Sequence, residues 1–212
     1  MKPNILKNRL YATGWILLLL LSLYYIYHNC FRFFIFTEAS YHSHFWPRAN
    51  WLFIHIVSGI VATLLVPFQL IPALRKKHKN LHRKLGYTYL TSVICSSVTS
   101  FYLAATSGFN IAYITGFTCF TLAWLGTTLM GFIAIVNKNV TQHREWMIRS
   151  YVVTLGFSIA RLLKDTLIPV HIATKIDLLT TLTWVSWAIP LFITELILQG
   201  NKFKGSKSLL TQ

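Results

Sequence analysis

Six long apolar runs restrict the fold of this chain more than any other feature of its sequence. A helix of about 20 apolar residues crosses the hydrocarbon core of a bilayer, and hydrophobic residues make up 54% of the 212 residues. The sequence therefore predicts an all-α integral membrane bundle of six transmembrane helices. These form a single domain over residues 1–200, followed by a short basic tail over residues 201–212 that we expect to be disordered. The predicted helices are Gly14–Phe36, Trp51–Leu74, Tyr87–Gly108, Ile111–Val136, Met147–Val170 and Leu178–Gln199.

The basic residues are distributed unevenly between the connections. The chain has 20 Lys and Arg against five acidic residues, a formal net charge of +15. The connections on one side of the predicted bundle carry only two basic residues, Arg48 and Lys175. Because basic loops stay in the cytoplasm, this pattern predicts both termini on the cytoplasmic side of a bacterial inner membrane. Attraction to anionic lipids then accounts for the basicity, and we expect no binding of nucleic acid. The predicted cytoplasmic set is Lys2, Lys7, Arg9, Arg75, Lys76, Lys77, Lys79, Arg83, Lys84, Lys138, Arg144, Arg149, Lys202, Lys204 and Lys207.

The sequence lacks the motifs expected of several processing events and enzyme classes. The apolar stretch Trp15–Leu23 is followed by bulky residues, so we expect an uncleaved first helix. Cys30, Cys95 and Cys119 stand singly in apolar runs, which predicts packed thiols and not a disulfide or zinc site. The sequence contains neither a His-Glu-x-x-His motif nor a phosphate-binding glycine loop. Whether the protein is an enzyme is left open.

Two His-Arg pairs open the predicted third and fifth helices. They are His82-Arg83 and His143-Arg144. A helix N-terminus attracts anions and favours neutral imidazole, the form that ligates haem iron. The neighbouring arginines add bidentate capacity for phosphate or carboxylate. The alternative is that these residues contact lipid phosphates at the cytoplasmic interface.

His55 lies inside the outer half of the predicted second helix, just before Ser58 and Gly59. Small side chains there let a neighbouring helix or a planar cofactor approach closely. His55 is therefore a candidate ligand, and the alternative is a hydrogen bond to a neighbouring helix. The candidate partners on the outer side are His28, His42, His44 and His171.

Charged and polar residues also occur at predicted membrane depth. Arg161 and Asp165 are four residues apart and are predicted to pair on one helical face. A functional interpretation makes Arg161 a counter-ion for haem propionates, a quinone or an anionic substrate. Gln69 and Glu195 lie near the inner leaflet, where they either complete a pocket with the two His-Arg pairs or satisfy neighbouring groups.

A set of motifs from the second to the fifth helix resembles the bacterial domain-of-unknown-function 2306 family of predicted multi-pass membrane proteins. The resemblance covers most of the chain, and its most specific element begins at His143. It implies a bacterial integral membrane protein and supplies no activity. The motifs are His55 with Gly59, Pro67-Phe68-Gln69, Leu81-His82-Arg83-x-Leu85-Gly86-x-x-Tyr89, His143-Arg144-x-Trp146-Met147-x-Arg149-Ser150-Tyr151, and Arg161.

A looser likeness is to transmembrane b-type cytochromes and ferric reductases, which hold haem between helices with pairs of histidines. This chain departs from them in having no histidine on its fourth predicted helix. The likeness implies haem b, with His55, His82 and His143 as candidate iron ligands and metal-binding residues.

The leading hypothesis is therefore a haem-binding protein that transfers electrons within or across the membrane. Arg83, Arg144, Arg149 and Arg161 are the candidate partners of the cofactor's negative charge. The alternatives are a binding or transport protein for an anionic lipid or small molecule, and a structural subunit of a membrane complex. The predicted partners are the lipid bilayer and the anionic lipids of its cytoplasmic face.

Overall fold

The computed structural model describes residues 5–170 and 174–210, and the chain is all-helical within them. The predicted all-α fold is confirmed. His171, a candidate partner of His55, lies outside the described residues, as do the last two residues of the predicted tail.

Six helices of more than 20 residues occur in the described ranges, and each overlaps one predicted run. Two short helices, Glu38–Phe45 and Pro72–Lys77, lie in the connections. The long helices are α1 (Ile5–Tyr25), α2 (Ala49–Leu70), α3 (Lys79–Ala105), α4 (Ile111–Val136), α5 (Val140–Leu167) and α6 (Lys175–Leu210).

The first helix differs most from its prediction. It ends at Tyr25, and the chain continues through a π-helical turn at Ile26–Cys30 and a 3-10 turn at Phe31–Phe34. Cys30 and Phe33 are buried there in a small apolar cluster. Hydropathy does not distinguish a continuing apolar helix from an apolar turn that packs on a core, so the predicted boundary at Phe36 is wrong.

The third and fifth helices begin earlier than predicted. α3 starts at Lys79 and α5 at Val140, so the basic segments form the first turns of helices. A search for apolar runs detects the part of a helix that suits hydrocarbon and misses its polar extension. His82 and His143 are consequently each the fourth residue of a helix.

Three stretches of the described chain are long and apolar enough to cross a membrane. They are Glu38–Leu70, Ile111–Val136 and Ile176–Phe203. α3 and α5 are equally long but more polar, since α3 is rich in Ser and Thr and α5 carries several charges. Buried hydroxyls in α3 bond to carbonyls of their own helix, as Thr99 does with the Cys95 carbonyl oxygen at 2.9 Å.

The chain divides into two compact units, Met1–Thr99 and Ser100–Gln212, with the division inside α3. In the first unit, Tyr41 is fully buried and donates from Oη to the Phe33 carbonyl oxygen at 2.8 Å. Ala49 and Ile56 of α2 complete this cluster. The segment between the first two predicted helices is thus helical and packed around Tyr41.

In the second unit, α4, α5 and α6 pack against one another as a three-helix bundle. Trp124 of α4 is buried and donates from Nε1 to Thr154 Oγ1 of α5 at 2.8 Å. At Gly156, an added Cβ would lie 3.1 Å from the Ser186 carbonyl oxygen, so the missing side chain allows α5 and α6 to approach closely.

α6 extends beyond its predicted end into the residues predicted to form the basic tail. It continues without interruption as far as Leu210. Apolar content alone predicted the end of this helix near Gln199, whereas helical backbone geometry continues into its polar extension.

Candidate functional site

His55 lies in the second turn of α2 and is half-buried. Its Nδ1 is 3.2 Å from the backbone carbonyl oxygen of Ser96 in α3, and 3.1 Å from Ser96 Oγ. A carbonyl oxygen only accepts, so the bond to it requires the proton on Nδ1. The helix-to-helix hydrogen bond that the sequence offered as one interpretation is therefore formed.

His82 lies in the first turn of α3, close to the end of α2. Gln69 is buried and donates from Nε2 to the His82 carbonyl oxygen at 3.3 Å. Gly86 lies beside the same amide, since a Cβ there would be 3.9 Å from Gln69 Nε2. The neighbouring Arg83 is exposed to solvent.

His143 lies in the first turn of α5 and contacts α4. Its Nδ1 is 2.7 Å from the carbonyl oxygen of buried Gly131. As at His55, the carbonyl oxygen only accepts, so Nδ1 donates in this bond. Arg144 is exposed beside it.

Arg149 is 8% exposed and is held in a network of charged and polar side chains. It bonds to Glu195 Oε2 through Nε at 2.8 Å and through Nη2 at 2.6 Å. Its guanidinium also lies over the Trp146 ring, with Cζ 4.8 Å from the ring centroid. The cation is thereby balanced within the protein.

The same network extends along α5 and α6. Glu145 Oε2 lies 3.8 Å from Arg149 Nη1 and 2.7 Å from Lys202 Nζ. Gln199 donates from Nε2 to Glu195 Oε1 at 2.6 Å. Sequence reasoning missed Glu145, Gln199 and Lys202 as members of this group. The four-residue spacings of Glu145 with Arg149 and of Glu195 with Gln199 were the signals that could have found two of the contacts.

Arg161 does not pair with Asp165. Asp165 instead lies 2.9 Å from Lys164 Nζ, and the Arg161 side chain is exposed. Among the described residues, no carboxylate lies within 4.0 Å of the Arg161 guanidinium nitrogens. The predicted pair is thus replaced by a contact between neighbours in sequence.

Beside Arg161, the second unit has a half-open cleft of about 60 Å³. Arg161 and Lys164 lie on its α5 side, and α4 and α6 form the other walls. Arg149 and Arg161 are about 18 Å apart along α5 at 1.5 Å per residue, so they belong to different places in the bundle. The cleft is lined by Tyr113, Phe117, Phe120, Phe157, Ala160, Arg161, Lys164, Leu179, Leu182 and Thr183.

The candidate residues fall into separate groups. His55, His82 and Arg83 belong to the first unit, and His143, Arg144, Arg149 and Arg161 belong to the second. Within the described residues, no three His, Cys, Asp or Glu side chains are grouped so as to hold a metal ion.

The family pattern described as predicted membrane protein (DUF2306) matches residues 52–198, which is more than half of the chain. The chain belongs to this family. The matched segment of the DUF2306 protein contains the candidate ligands and arginines of the site, which are His55, His82, Arg83, His143, Arg144, Arg149 and Arg161. No curated protein and no solved structure matches it.

Proposed function

We propose that this DUF2306 protein crosses the bacterial inner membrane six times, with both termini in the cytoplasm, and binds haem b for electron transfer. Three stretches suit a membrane by composition, and the other long helices alternate with them along the chain. The basic residues concentrate in alternate connections. That combination supports the proposed topology.

The observation that carries the haem proposal is the orientation of two imidazoles. His55 and His143 each direct Nδ1 to a backbone carbonyl oxygen, at 3.2 and 2.7 Å. Metal-ligating histidines commonly donate one ring N–H to a carbonyl, which fixes the tautomer and makes the other nitrogen a better ligand. Both rings are half-buried, where such an arrangement suits a neutral ligand.

The charges of the residues beside the candidate ligands also suit haem. Haem supplies an iron that accepts and gives up single electrons. The propionates are anionic, and Arg83 and Arg144 are exposed guanidiniums beside the two candidate ligands His82 and His143. Arg149 is less suited to this role, because Glu195 already balances its charge.

The test is the haem content of purified variants from haem-replete cells. We expect His55→Ala, His82→Ala and His143→Ala each to lose at least about half of the bound haem, as iron loses an axial ligand. His78→Ala is the matched control, since His78 is exposed in the connection before α3. Size-exclusion profiles that match that of the unsubstituted protein would exclude unfolding as the cause of haem loss. If the three variants retain the haem content of the control, the histidines are not ligands.

A further inference from the structure

The cleft beside Arg161 has an aromatic wall and a cationic edge. Phe120 stacks on Phe157, with ring centroids 4.1 Å apart, and Tyr113 stacks on Phe117 with centroids 6.2 Å apart. These rings line the cleft from α4 and α5. At about 60 Å³ the cavity accommodates a small polar group and not a large planar cofactor. An apolar chain attached to that group would lie against the aromatic side chains.

The charge at the cleft is positive. Arg161 and Lys164 both line it, and Asp165 is engaged with Lys164 at 2.9 Å. The three side chains therefore leave one positive charge, and it resides on Arg161. An arginine on a membrane-spanning helix that has no protein counter-ion is costly, and a bound anion would lower that cost.

Two helix N-termini lie at the same end of the bundle. Asn110 caps α4, where its side chain accepts from Tyr113 N at 2.8 Å, and its Nδ2 donates to Thr180 Oγ1 in the first turns of α6 at 3.4 Å. Trp184 Nε1 donates to the Ala112 carbonyl oxygen at 3.2 Å. The positive ends of both helix dipoles thus lie at this end of the bundle, where the Asp177 carboxylate in the first turn of α6 offsets part of their charge.

We propose that this cleft binds the phosphate head of an anionic lipid, with Arg161 as the bidentate phosphate ligand. Guanidinium matches phosphate geometry and stacks well beside aromatic rings. The lipid's acyl chains would run along the apolar surface next to Phe117. In the proposed topology this end of the bundle faces the outer leaflet, so the site is distinct from the basic cytoplasmic surface. It does not depend on haem.

The experiment is native mass spectrometry of the full chain in neutral detergent, titrated with phosphatidylglycerol or with phosphatidylcholine of the same acyl chains. We expect tighter binding of phosphatidylglycerol, and a loss of at least about tenfold in Arg161→Gln, as for a charge-assisted hydrogen bond to a phosphate. Arg32→Gln, an exposed arginine of the first unit that is not in the predicted cytoplasmic basic set, is the matched control and should bind as the unsubstituted protein does.

A second variant tests the cleft without altering its charge. Ala160 lines the cavity, so Ala160→Leu should fill it and weaken phosphatidylglycerol binding while Arg161 remains. Equal binding of the two lipids, or unchanged binding by both Arg161→Gln and Ala160→Leu, would overturn the proposal. Competition by inorganic phosphate at the concentration where the lipid binds would identify a free-anion site and overturn the assignment to lipid. A protein without haem can still pass this test, so its outcome is separable from that of the haem proposal.

Discussion

Arg149 directs both Nε and Nη2 to one carboxylate oxygen of Glu195, at 2.8 and 2.6 Å. The pair joins α5 to α6 in the three-helix bundle, with Glu195 on the more exposed side of the contact. Arg149 is 8% exposed, so its charge has little access to water. A buried cation that loses its partner is strongly destabilising, which makes this contact a sensitive place to test the packing of α5 on α6.

Glu195→Gln should lower the stability of the protein. The substitution keeps the shape of the side chain and removes the negative charge opposite Arg149. We expect a loss of about 1.5–3 kcal/mol, typical of hydrogen bonds to charged groups. The thermal midpoint in neutral detergent measures it. Glu38→Gln is the control, because Glu38 is exposed at the start of a short helix; equal midpoints for the two variants would contradict the account.

Replacing either of two glycines of α4 with alanine should change the stability of the protein, in opposite directions. A Cβ at Gly116 would lie 2.6 Å from Trp184 Nε1, whereas a Cβ at Gly126 has nothing within 4 Å. We expect Gly116→Ala to destabilise the bundle by roughly 1–3 kcal/mol through overpacking. Gly126→Ala should stabilise it by about 0.5–1 kcal/mol, because alanine favours the helix. Thermal midpoints that move in the same direction would show that α4 and α6 are not in this contact.

The Trp124 indole should contribute to stability through its hydrogen bond. Trp124 is 1% exposed, and Nε1 donates to Thr154 Oγ1 at 2.8 Å. Trp124→Phe removes the donor and leaves a small void, so we expect a loss of about 1–3 kcal/mol in the free energy of unfolding. Trp184→Phe is the comparison, since Trp184 is 38% exposed and its bond is 3.2 Å long. An equal or larger loss at Trp184 would be inconsistent with the buried position of Trp124.

The orientation of the helices is testable with reporter fusions. Fluorescent-protein fusions after Lys77 and after Lys138 should be bright, because the proposed topology puts both connections in the cytoplasm. Alkaline phosphatase fused after Gly108 should be active, because that connection is then outside. Active phosphatase after Lys138 would reverse the proposed orientation of α4 and α5.

The number and order of the long helices could be predicted from the sequence, because apolar runs mark them independently of their neighbours. That His143 lies near the start of a helix was likewise accessible, because it shortly precedes an apolar run. The run begins at Met147 and the helix at Val140, so the exact turn was not. The ends of the helices were harder to predict from the sequence. Backbone geometry carries α3 and α6 into charged residues, where hydropathy has no signal.

The contacts between helices could not be predicted in the same way. Arg149 and Glu195 are far apart in sequence, and their pairing depends on which faces of α5 and α6 meet. Asp165 had two basic residues within reach. Side chains four residues apart lie on the same face of a helix, so Arg161 was the predicted partner. The structure pairs it with Lys164 instead, which leaves Arg161 directed to the cleft.

The most direct test of the haem proposal is the absorption spectrum of the detergent-purified protein from haem-replete cells, recorded oxidised and then reduced with dithionite. The account predicts a Soret band that shifts on reduction and a sharp α-band of the b type. A folded, monodisperse protein without visible absorption would contradict it.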